Sequence, residues 1–85
     1  MPKSVFSDAY AAFLDVLISA RKEAKMTQVE LAAALGRPQP FISYIESGER
    51  RVDVIEFCAI AKALGLAPTA LFERVVVRLP EQMDI

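Results

Sequence analysis

The stretch from Thr27 to Gly48, TQVELAAALGRPQPFISYIESG, constrains this chain more than any other. It predicts two short helices joined by a tight glycine turn, with apolar residues where two crossed helices must touch. Leu31, Ala32 and Leu35 give the first helix one apolar stripe, and Ile42 and Ile45 give the second a narrower one. Ala32 is small where a second helix crosses closely. Gly36 can take the left-handed conformation that ends a helix cheaply. Thr27 is a good N-cap and Glu30 stands three residues later, so the pair reads as a capping box. These are the parts of a helix-turn-helix.

The flanking sequence predicts further helices. Helix 1 is expected from Ser7 or Asp8 to about Ala24, with Tyr10, Phe13, Leu14, Leu17 and Ile18 as its buried stripe. Helix 2 follows from about Gln28 to Leu35, the turn is Gly36-Arg37-Pro38, and helix 3 covers about Gln39 to Ser47. Pro40 is tolerable in a first turn, where its missing N–H has no helical partner, but it biases Gln39 away from helical geometry. Gly48 ends helix 3, and Glu49-Arg50-Arg51 reads as an exposed charged loop. Asp53 with Glu56 forms a second capping box, opening helix 4 through about Leu64. Its apolar positions are Val54 or Ile55, Phe57, Cys58, Ile60, Ala61 and Leu64. Gly65 caps it, and Pro68 fits the first turn of a short helix 5 reaching about Glu73.

The ends differ from this body. Residues 1–6 read as a loose arm, 7–74 as the domain, and 75–85 as a tail. Val75, Val76 and Val77 with Leu79 favour an extended strand. A lone strand leaves backbone groups unpaired, and the same segment of a second subunit would satisfy them. The alternatives are that helix 5 runs on, or that the tail lies along the domain's own surface.

Eighty-five residues suffice for one small domain. The chain has no histidine and one cysteine, Cys58, so a His/Cys metal cluster or a Ser-His or Cys-His nucleophile pair cannot form within it. No paired acids converge on a predicted pocket. The expectation is a non-enzyme without cofactor or metal. Apolar runs are far shorter than a membrane span, no signal-peptide core is present at the N-terminus, and the expected location is the cytoplasm. The net charge of −1 is unlike a typical nucleic-acid-binding domain. Its distribution softens that objection. Residues 21–51 hold six basic and four acidic side chains, whereas from Val52 onward three basic face five acidic.

The Thr27–Gly48 segment resembles the helix-turn-helix of the lambda-repressor-like proteins, the Cro and phage-repressor group called the XRE family. Thr27, Gln28, Leu31, Ala32, Leu35, Gly36, Gln39, Ile42, Ser43, Ile45, Glu46 and Gly48 carry the resemblance. It extends back to Arg21 and forward through Ile60, Ala61, Leu64 and Gly65 to Leu71, covering about residues 10–72. It implies an all-α, five-helix lambda-repressor-like bundle whose third helix enters the DNA major groove.

The resemblance also assigns roles. Gln28 would bind a phosphate and brace the start of helix 3, and Gln39 would pair with adenine through its amide. Ser43 and Tyr44 fall one turn along, where the tyrosine suits a phosphate as well as a base. Pro40 and Phe41 depart from the small polar residues common there. Either would touch a thymine methyl, and Phe41 equally suits packing against helix 2. Arg37, Arg50 and Arg51 read as phosphate clamps or as solvated surface, and Ser47 as a further backbone contact. Arg21 and Glu46 would pair to fix helix 3 on the scaffold, and Cys58 reads as a small buried hydrophobe. The expected function is a transcriptional regulator binding double-stranded DNA as a homodimer on a palindromic operator. The alternative is a protein-interaction module of the same fold, antitoxin-like or adaptor-like, engaging a protein partner with weak or no DNA binding.

Overall fold

Five helices follow one another in the computed structural model, which describes residues 7–83: α1 (Asp8–Glu23), α2 (Gln28–Ala34), α3 (Pro40–Glu46), α4 (Val54–Ala63) and α5 (Pro68–Val76). The proposed arm, residues 1–6, lies outside the described residues. Local chemistry accounts for each start. The Ser7 hydroxyl accepts from the Tyr10 amide at 3.2 Å, and α2 and α4 both open with complete capping boxes, Thr27 with Glu30 and Asp53 with Glu56. α3 and α5 begin instead at prolines, which need no amide partner there.

Contrary to the expectation from Pro40, Gln39 is helical, with φ −49° and ψ −44°. The chain enters α3 through a tight turn in which the Phe41 amide donates to the Pro38 carbonyl at 3.0 Å, and that turn sets Gln39.

α2 packs on α3, α1 on both α3 and α5, and α4 on α2 and α5. Leu31 and Ala32 meet Ile42 and Ile45 in a core that also takes Leu14, Leu17 and Ala20 from α1 and Phe57, Ile60 and Ala61 from α4. Val16 is buried too, although the helical stripe read from the sequence left it out; Ile18 is only half-buried. Val54 and Ile55 are both exposed, because α4 turns Phe57, Ile60 and Ala61 inward. Cys58 is half-buried.

Of the alternatives for Val75–Leu79, the structure takes the continued helix: α5 runs through Val76, and among the described residues there is no strand. Leu71 and Val75 lie one turn apart on the same helical face, and both are buried. A fully buried valine gains about 1.5–3 kcal/mol, which outweighs the few tenths of a kcal/mol by which β-branching disfavours helix. Leu79 then folds back against the core, and Arg78 reaches Asp15 of α1 at 3.4 Å. No single helix among the described residues is long and apolar enough to cross a membrane.

Candidate nucleic-acid interface

α3 is seven residues long, and burial of Ile42 and Ile45 fixes which way it faces. Gln39, Pro40 and Tyr44 are thereby exposed and Ser43 half-exposed, giving an outward strip along the helix. Ser43 spends its hydroxyl proton on the Pro40 carbonyl at 3.1 Å. The Ser47 hydroxyl lies 3.2 Å from the Tyr44 carbonyl and 2.9 Å from a Glu49 carboxylate oxygen, both acceptors. Gln39 is exposed and makes no side-chain cap bond, which leaves its amide donor and acceptor available.

At the C-terminal end of α3, one network joins three helices. The Arg21 guanidinium donates to both oxygens of Glu46, from Nε at 2.7 Å and from Nη2 at 2.9 Å. Its Nη1 donates to the Met26 carbonyl at 2.8 Å, and Gln28 Nε2 donates to Glu46 Oε1 at 2.9 Å. The Glu46 carboxylate holds the Arg21 pKa above its ordinary value, chiefly by hydrogen bonding. Arg21 and Glu46 are largely buried, so the pair ties α3 to α1, while Gln28 ties α2 to the same carboxylate, at the end of α3 rather than at its start as the resemblance implied. The pairing expected for Arg21 and Glu46 is thus present.

The basic residues behave differently from one another. Arg37 and Arg50 both place a guanidinium over the Phe41 ring, at 5.2 and 4.8 Å from its centroid. Phe41 is half-buried against the core. Arg50 is also paired with Glu56, donating from Nη1 at 2.9 Å and from Nη2 at 2.8 Å, and from Nη1 to the Arg51 carbonyl at 3.0 Å. Those bonds, with the Asp53 amide as a further donor, pull the Glu56 carboxyl down to about 2. Arg51 instead covers the Tyr10 ring of α1 at 4.3 Å, away from the Phe41 group. The structure therefore gathers Arg37, Phe41 and Arg50, and adds Glu56, which sequence reasoning had treated only as a capping residue. Its i+3 relation to Asp53 was visible in the sequence; its bond to Arg50 across a loop was not.

The helix-turn-helix family profile matches residues 17–71 of the chain. An XRE-family like protein from Pseudomonas syringae pv. tomato str. DC3000 shares 49% sequence identity, with a TM-score of 0.77. That alignment covers 85% of this chain and 88% of the other. No curated protein matches the chain.

Proposed function

The chain belongs to the XRE family of helix-turn-helix proteins, a family of DNA-binding regulators, and we propose that it is a repressor-type regulator that reads double-stranded DNA as a homodimer. The observation carrying this reading is the exposed Gln39–Tyr44 strip of α3, whose opposite face is buried through Ile42 and Ile45 and whose C-terminal end is fixed by the Arg21–Glu46–Gln28 network. A helix whose reading side is free and whose opposite side is locked suits the major groove. Gln39 offers the donor–acceptor pair that recognises adenine, and Tyr44 extends the contact to a neighbouring base or phosphate. Two copies would bind half-sites of a palindromic operator about 34 Å apart. The protein acts by binding rather than by catalysis, in the cytoplasm with the DNA, and needs no cofactor.

Fluorescence anisotropy on a fragment from upstream of its own gene, against mixed-sequence duplex, tests this. Tighter binding to the upstream fragment is expected, with Gln39→Ala removing about 1–3 kcal/mol of the discrimination. Equal affinity for both DNAs at low salt would instead favour a protein-binding role for the same fold.

A further inference from the structure

Two arginines share one aromatic ring in this protein, yet their hydrogen-bonding edges are in opposite states. A guanidinium stacked on a ring keeps its N–H donors in its own plane, pointing away from the ring edge toward whatever anion is present. The Arg50 donors are already occupied, by both oxygens of Glu56 and by the Arg51 carbonyl. Arg37 is exposed, and among the described residues its guanidinium makes no hydrogen bond or ion pair. We propose that Phe41 is a positioning residue that divides these roles: it holds Arg37 in the turn before α3 as a ligand for a backbone phosphodiester of DNA, while Arg50 holds the ring and Glu56 and does not bind phosphate.

The proposal rests on the DNA-binding reading above and adds which cation serves it. For Arg50 to take a phosphate, one surface ion pair would be exchanged for another while Glu56, still capping α4, lost its charged partner, so the exchange gains little. Arg37 gives up no hydrogen bond or ion pair among the described residues; its only hold on Glu56 is a coulombic one, weaker than that of Arg50. The ring also limits the rotamers of a long side chain before DNA arrives, which lowers the ordering cost of contact. Phe41 is well placed for this, being half-buried and packed against the core at the start of the recognition helix.

The test uses the full chain and a mixed-sequence duplex, since a phosphate contact does not depend on base sequence. Affinity is measured by anisotropy between about 50 and 200 mM salt. Arg37→Ala is expected to reduce the slope of log K against log salt by about 0.9, the worth of one phosphate. Arg50→Ala leaves that slope at the wild-type value. Phe41→Leu weakens binding about two- to fivefold in the wild-type background and has no effect once Arg37 is alanine. An unchanged slope in Arg37→Ala, an equal drop in Arg50→Ala, or an equal loss from Phe41→Leu in both backgrounds each overturns the assignment. The two arginine variants remove no core atoms, so their slopes decide even where Phe41→Leu does not fold. A wild-type chain that binds no DNA at low salt is a different result, one that removes the functional reading and this inference with it.

Discussion

Four of the five helices end through the same pair of backbone bonds, and the residue at the left-handed position distinguishes them. After α1, the Lys25 amide donates to the Lys22 carbonyl and the Met26 amide to the Arg21 carbonyl. The same closure recurs after α2, α3 and α4 at Gly36, Gly48 and Gly65, with φ between 67° and 84°. Lys25 adopts φ 59° with a Cβ attached, a conformation that costs an L-residue about 1–2 kcal/mol. Part of that is offset because glycine loses more freedom on folding. Lys25→Gly should therefore raise stability by about 0.5–1 kcal/mol in urea denaturation, and Gly36→Ala should lower it by about 1 kcal/mol. A Cβ at Gly36 would point into open space, so the second loss would be backbone strain alone. The Arg21–Glu46 pair works by a different principle. Removing one partner leaves a largely buried charge unmatched, so Glu46→Ala should cost about 3 kcal/mol. The double change Arg21→Met with Glu46→Leu should cost less than Glu46→Ala alone, which the same denaturation series would read directly.

At the scale of elements, what the sequence made legible was what is local. Thr27–Glu30 and Asp53–Glu56 mark helix starts because both partners lie within one turn, and the glycines mark ends for the same reason. The end of α5 stayed open between strand and continued helix because three valines carry a β signal, while the force that keeps the segment helical, burial of Val75 beside Leu71, comes from the rest of the fold. The crossing of α2 and α3 was legible through the small residue at Ala32, which is only 1% exposed. Ala32→Leu should accordingly destabilise the bundle by about 1–3 kcal/mol, since the crossing has no room for further methylenes. A near-zero change would place the contact of those helices elsewhere. α4 carries a pH dependence of its own. Glu56 is depressed from an ordinary value of 4.5 to about 2, so its contribution is complete above pH 4.5 and is lost as pH falls through about 2. The stability gap between wild type and Glu56→Gln should thus be constant from pH 7 to 5 and narrow below about 4.5. A gap independent of pH down to 2 would mean that the Arg50 pair does not stabilise α4 in solution.

For the whole molecule, the outward face of α3 was legible and the electrostatics beside it were not. Which side of α3 faces outward follows from Ile42 and Ile45, three positions apart in one short helix. The grouping of Arg37, Phe41, Arg50 and Glu56 draws on a turn, a helix, a loop and the next helix, and only the folded chain brings them together. The tail carries the same lesson for assembly. A strand from Val75 to Leu79 would have been an appendage whose loss leaves a stable, helical monomer. As folded, Val75 is a core residue and Leu79 packs beside it, while Arg78 pairs with Asp15 across to α1. A chain ending at Arg74 should therefore lose at least about 2 kcal/mol of stability, from the buried valine and the partly buried leucine together. Its urea midpoint should fall even at protein concentrations where sedimentation shows the full chain as a monomer. That concentration independence separates a damaged core from a lost interface, because an interface contributes to stability only where the dimer is populated. If the truncated chain matched the full one in the monomeric range and fell behind only as concentration rose, the last turn of α5 would belong to an interface between subunits rather than to the core.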